Sequence, residues 1–240
     1  MMKLPAVLCA ALFLSEGQAA PTTASNLTGR AQNLVPSGII INHCTVAGVV
    51  ALTFDDGPFR YTSQVLDHLD RYGARATFFV NGENWSRGIA DESTPWPDIL
   101  RRMDHSGHQI GSHTWSHVDL STVAPEARYY QIRRLERALR TECLNDMQRM
   151  GYHVVNFDVD PKDYLYQRPG EIQAAMDNFS GALNAGWWGG SFLVLAHDSL
   201  PQTADALVPH MLEEIRQRGY RAVTVGECLG DPRENWYRWA

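Results

Sequence analysis

The 240-residue chain is 44% apolar, 20% charged and 10% aromatic, enough for one sizeable domain and short for two. That apolar fraction excludes disorder, and a formal net charge of −6 excludes a general affinity for phosphate backbones. The arginines between Arg128 and Arg140 alternate with apolar residues and read as a solvated helix face, so nucleic acid is not an expected partner.

The N-terminus carries Lys3, an apolar run from Leu4 to Leu14, then small residues through Ala19-Ala20-Pro21. This layout predicts a secretory signal over residues 1–19, a run too short to span a bilayer. The competing reading is an N-terminal helix or membrane anchor. A Thr/Ser/Asn-rich linker over 20–40 follows, then a domain over 41–231 and a tail over 232–240. No later segment is apolar enough to span a membrane, so the expected location is extracellular or in a cell wall. After signal removal Cys44, Cys143 and Cys228 remain. An odd number in an oxidising compartment leaves one thiol over, and sequence alone does not fix which two pair. Asn26, Asn84 and Asn178 open Asn-x-Ser/Thr triplets, which are glycosylation acceptors in a secreted chain.

Along the domain, Val49 to Phe54 reads as a buried strand stopped by Asp55-Asp56-Gly57-Pro58. Thr62 is expected to cap a helix with Val65, Leu66, Leu69 and Tyr72 on one face, ended by Gly73. Ala76 to Val80 is a second strand. A helix with Ile99, Leu100 and Met103 ends at Gly107, and His108 to Ser112 is short and extended. Helical spacing runs from Pro125 to Met150, followed by a strand over Val154 to Phe157. Ile172, Met176, Phe179 and Leu183 mark another helix, Phe192 to Leu195 a strand, Leu207 to Arg218 a helix, and Ala222 to Val225 the last strand. Alternating strands and helices predict a parallel α/β sheet, and buried strands with polar C-terminal ends point to a barrel.

The chemistry sits at those ends. Asp55-Asp56 follow one strand, His113 and His117 another, and His197-Asp198 a third. His-x-x-x-His suits one metal ion where the segment is helical or tightly turned, and two surface histidines are the plainer alternative. With Asp56 the pair would form a two-His-one-carboxylate set with open positions, leaving Asp55 as a general base. A turn cap is the structural alternative for the tandem aspartates. His197 could donate a proton to a leaving group or be a satisfied core histidine. Asp163-Tyr164 could orient it, although alone they read as a loop.

Thr53-Phe54-Asp55-Asp56-Gly57-Pro58 and Gly111-Ser112-His113-Thr114-Trp115-Ser116-His117 resemble the first two motifs of the polysaccharide deacetylases, the NodB-homology proteins of carbohydrate esterase family 4. The flanks, Cys44-Thr45-Val46, Ala76 to Gly82 and Thr224 to Asp231, are most similar to secreted fungal chitin deacetylases. The resemblance implies that Asp55 is the base and that Asp56, His113 and His117 bind a divalent ion, usually Zn²⁺, with Co²⁺ as a substitute. Leu195-Ala196-His197 matches the last motif, making His197 the acid and Leu195 a wall of the acetyl pocket. Asp163-Tyr164 matches the fourth, with Asp163 tuning His197 and Tyr164 lining the sugar groove. Cys44 and Cys228 fall where the fungal members place a terminal disulfide. The implied partner is chitin or N-acetylglucosamine oligomers, acted on by a monomer.

The chain departs from the family at one place. An Arg-Pro-Pro-Tyr motif should precede the Val154 strand, but Arg140-Thr141-Glu142-Cys143-Leu144 runs straight on, and Arg168-Pro169 comes too late in the order. The expected fold is a distorted (β/α) barrel of NodB-homology type lacking one strand and loop between Arg140 and Thr141. The deficit is roughly 15–20 residues on ordinary element lengths. A segment lost from the reading of the gene and a degenerate family member both account for it.

Overall fold

The computed structural model describes residues 10–13, 35, 40–83, 85, 88–142, 152–186 and 190–237. Eight strands are described, β1 (Ala10–Phe13), β2 (Ile40–Ile41), β3 (Val49–Asp55), β4 (Thr77–Val80), β5 (Gln109–Ser112), β6 (Tyr152–Val155), β7 (Phe192–His197) and β8 (Arg221–Val223). They join in one mostly parallel sheet in the order β2-β6-β1-β5-β4-β3-β7, with β8 paired to the start of β3. The helices are α1 (Thr62–Tyr72), α2 (Trp96–His105), α3 (Pro125–Glu142), α4 (Ile172–Ala185), α5 (Val208–Gln217) and α6 (Val225–Cys228).

Strand β3 is buried at all seven positions, as its uninterrupted apolar run requires of a strand covered on both faces. Its alternation separates two cores. Val50, Leu52 and Phe54 pack with Phe78 and Val194 under the helices, whereas Val49 and Ala51 join Phe79, Leu193 and Val223 on the inner face. Period two therefore puts Thr53 and Asp55 on the inner face. It does the same for Leu195 and His197 on β7 and for Gly111 and His113 at the end of β5. Gly111 has no room for a side chain, because a Cβ there would overlap the Phe79 ring.

Helix α1 buries Val65, Leu66 and Leu69 and stops at Gly73, whose φ of 60° is the left-handed conformation that glycine adopts freely. Thr62 is not its cap as expected; Tyr61 occupies that position without a side-chain bond, and the Thr62 hydroxyl is engaged elsewhere. Val225 does not end the last strand. It opens α6, because Thr224 and Glu227 form a reciprocal capping box. The strand expected from Val154 lies two residues earlier, at Tyr152–Val155. Trp236 is buried and packs on Gly226, and Ile110 N–H donates to the Tyr237 hydroxyl, so the C-terminal segment is tied to the domain.

Helix α3 is described to Glu142, and the rest of the expected helix, with Cys143, lies outside the described residues. No strand is described between α3 and β6. The space between β5 and β6 is taken by β1, which runs antiparallel to both. A segment read as a signal thus stands where the sequence is short of a strand. Cys44 and Cys228 form a disulfide that joins the start of the domain to α6.

Candidate active site

Asp55 ends β3 and is 3% exposed. The chain then turns through Asp56 at φ 76° and a cis Gly57–Pro58 bond. Thr114 and His117 also have positive φ, at 73° and 54°, so three non-glycine residues around one point adopt sparsely populated backbone. His113 and His117 are therefore held by a tight turn after β5 rather than by a helix. Asn81 ties the two turns: its N–H donates to the Gly57 carbonyl at 2.9 Å, and its side-chain amide donates to the His113 and Thr114 carbonyls.

Asp56 Oδ1 lies 3.1 Å from His117 Nε2 and 3.5 Å from His113 Nε2, and one ligand atom from each residue falls within 4.8 Å of the others. Both His113 ring nitrogens are buried without a hydrogen-bond partner, and Asp56 Oδ1 is buried with His117 Nε2 in reach. Buried polar atoms left unmatched cost roughly 1–3 kcal/mol each, so their convergence calls for a cation. Two imidazoles and a carboxylate fit a divalent ion with open positions. Burial pushes His113 down to about 3, leaving it neutral as a ligand must be. Burial would raise Asp56, but the His117 hydrogen bond and the charge of His113 lower it on balance. His117 is raised by its bond to Asp56.

His197 lies opposite Asp55 in the β3–β7 register. Its Nδ1 is 2.8 Å from Asp163 Oδ1, and its backbone N–H donates to Asp163 Oδ2, also at 2.8 Å. Asp163 is fully buried and additionally accepts from the Thr203 hydroxyl and the Tyr164 N–H. This cradle fixes the imidazole and leaves Nε2 for the site. Burial would lower His197, but the Asp163 charge and hydrogen bond override it and raise the ring to about 10. Burial raises Asp55 well above the usual carboxylate range, with His197 opposing and Asp56 and Asp198 reinforcing the rise. Among the described residues no arginine pairs with Asp55, and its Oδ1 is unpartnered.

Tyr164 is 37% exposed, with its ring 5.6 Å from that of His197, and Leu195 is buried two residues before His197 on the same face. The structure thus groups Asp56 with His113 and His117, sets Asp55 opposite His197, and places Asp163 and Tyr164 against His197. Asp198, Thr62, Asn81 and Thr203 received no site role from the sequence; only the position of Asp198 beside His197 at a strand end could have signalled one.

The chain belongs to the polysaccharide deacetylase family, whose sequence profile matches residues 42–156. It is 40% identical over 245 residues to the chitin deacetylase of Colletotrichum lindemuthianum, covering 95% of this chain and 98% of that one. A chitin deacetylase of Pestalotiopsis is 41% identical over 92% of this chain and 76% of its own length. The solved Colletotrichum structure superimposes with a TM-score of 0.79 over 85% of this chain and 97% of that one. A family 4 acetyl xylan esterase from Clostridium thermocellum, solved with a cobalt ion, is 28% identical, with a TM-score of 0.60 over 77% of this chain and 93% of its own.

Proposed function

We propose that this protein hydrolyses N-acetyl groups on polymers or oligomers of N-acetylglucosamine, as a secreted chitin deacetylase. The reading is carried by the convergence of Asp56 and the unpartnered His113 nitrogens with His117, beside the Asp55–His197 pair. Asp56, His113 and His117 would hold the divalent ion, Zn²⁺ or Co²⁺, which when bound polarises the amide carbonyl and acidifies water. Asp55 takes the proton of the attacking water, its burial making it a stronger base than an exposed aspartate. His197, protonated and steadied by Asp163, gives a proton to the departing amine. Leu195 walls the acetyl group and Tyr164 lines the groove, where its exposed ring offers a face to a sugar.

The disulfide agrees with an oxidising compartment, and no helix among the described residues is long and apolar enough to cross a membrane. Secretion with loss of residues 1–19 would remove β1. A second reading rests on the missing Arg-Pro-Pro-Tyr segment and on Asp55 having no arginine partner among the described residues. In that reading the chain is an impaired secreted relative that binds metal and wall polysaccharide without efficient turnover.

Acetate release from N-acetylglucosamine oligomers by the purified chain with Zn²⁺ or Co²⁺ separates the two. Release that disappears in Asp56→Ala supports the deacetylase. Metal binding without acetate leaves the impaired relative.

A further inference from the structure

Asp198 follows His197 directly and is fully buried, yet the chemistry above leaves it unused. Its Oδ2 accepts a 2.5 Å hydrogen bond from the Thr62 hydroxyl, 136 residues away in sequence. That hydroxyl in turn accepts the Phe59 N–H at 2.8 Å. The carboxylate also lies directly on Gly57, where a Cβ would overlap both of its oxygens. Its other oxygen, Oδ1, has no partner. A carboxylate this buried is costly to keep, and burial raises its pKa to about 7 against the Thr62 hydrogen bond and one from its own backbone. Its contacts with Thr62 and Gly57 both fall on the turn and first helical residue that follow Asp55 and Asp56.

We propose that Asp198 and Thr62 form a clamp that positions the Asp55-Asp56-Gly57-Pro58 turn against the end of β7. The strand that presents His197 thereby also fixes the carboxylates facing it. Asp198 acts through Thr62, Phe59 and Gly57, touches no substrate, and is a positioning residue. The Gly57 contact explains why that turn takes a residue without a side chain. The clamp rests on the metal-site reading, since what it positions is Asp56 relative to His113 and His117. Residues that hold metal ligands in place typically change affinity about 10–100-fold when removed.

The test is Zn²⁺ affinity of the full chain, measured by competition with a chromophoric chelator, alongside kcat and KM for N-acetylglucosamine oligomers. Thr62→Val keeps the shape of the side chain and deletes the relay. It should weaken Zn²⁺ binding about 10–100-fold and lower kcat with KM nearly unchanged, while Thr62→Ser restores both. Asp198→Ala should match Thr62→Val, and the double variant should be no worse than either alone, as expected for one shared interaction. Unchanged Zn²⁺ affinity in Thr62→Val, with the far-ultraviolet circular dichroism of the unaltered chain, overturns the clamp. Should Asp198→Ala fail to fold, the Thr62 pair decides alone. Failure of the unaltered chain to bind Zn²⁺ overturns the proposed function, and the clamp with it; binding that ignores Thr62 overturns only the clamp.

Discussion

Asp55 and His197 face each other at the same register across β3 and β7, at the C-terminal ends of two adjacent parallel strands. Neighbouring strands lie about 4.8 Å apart, and period-two alternation turns both side chains to the inner face. The proton acceptor and proton donor of the proposed reaction are therefore set by backbone pairing rather than by loops. Their environments differ sharply, because among the described residues no arginine or lysine pairs with Asp55 while His197 leans on Asp163. Burial raises the one and the Asp163 charge raises the other, and perturbed titratable groups facing each other in this way mark acid and base candidates.

Asp55→Asn removes the base while preserving shape. Acetate release should fall by about 10²–10⁴-fold, as for loss of a general base. Zn²⁺ affinity should persist, because Asp55 lies outside the ligand set. A variant that retains full activity would remove Asp55 from the mechanism.

The His197 ring should remain protonated far above neutrality. Asp163 on one side and Asp55 and Asp56 across the sheet all favour the charged form, with the Tyr164 ring packed at its edge. Its pKa is raised from 6.5 to about 10, so folding stabilises the charged ring. That stabilisation is complete below about 6.5 and is lost as pH rises through about 10. NMR titration of the metal-free chain checks this. Asp163→Asn should bring the ring's titration down toward neutral and flatten the alkaline loss of stability. A ring that titrates near neutral pH in the unaltered chain would contradict it.

Much of this site is legible in the sequence because Asp55, Asp56, His113 and His197 sit where buried strands end. Asp55-Asp56 and His197 each follow an apolar run whose alternation fixes the face they take, and His113 follows the short extended segment His108 to Ser112. What the sequence hides is who bonds whom across long separations. Thr62 looks like a helix cap, but it is the first helical residue, and its hydroxyl accepts the Phe59 N–H and donates to Asp198. Val225 looks like strand because it is β-branched, yet the Thr224–Glu227 capping box commits it to a helix. The apolar run from Leu4 to Leu14 reads as a signal in the sequence, yet four of its residues form β1. Only the pairing of β1 between β5 and β6 makes the second reading visible.

The β1 position yields a stability test. A chain beginning at residue 20 leaves the facing edges of β5 and β6 without the strand that now pairs with both. Its melting temperature should drop by about 2–4 °C for each kcal/mol lost. Inserting an Arg-Pro-Pro-Tyr-bearing strand between Arg140 and Thr141 should restore it. The same insertion should raise acetate release by about 10²–10³-fold if it returns an oxyanion donor. Equal melting temperatures for the two chain lengths would show that β1 contributes nothing.

The Cys44–Cys228 bridge closes a loop of 184 residues in sequence separation. Removing a disulfide of this kind typically costs about 2–5 kcal/mol, so Cys44→Ser should shift the denaturant midpoint accordingly. Peptide mapping should recover these two cysteines joined. Finding either one bonded to Cys143 would overturn the pairing.

The central claim is that one divalent ion on Asp56, His113 and His117 makes this chain a deacetylase. Titrating the metal-free full chain with Co²⁺, while following both the cobalt absorption and acetate release from N-acetylglucosamine oligomers, tests it directly. Acetate release should rise in step with the first equivalent of Co²⁺, vanish with chelator, and be lost in His113→Ala. Turnover without metal, or a fully loaded site that releases no acetate, would contradict it.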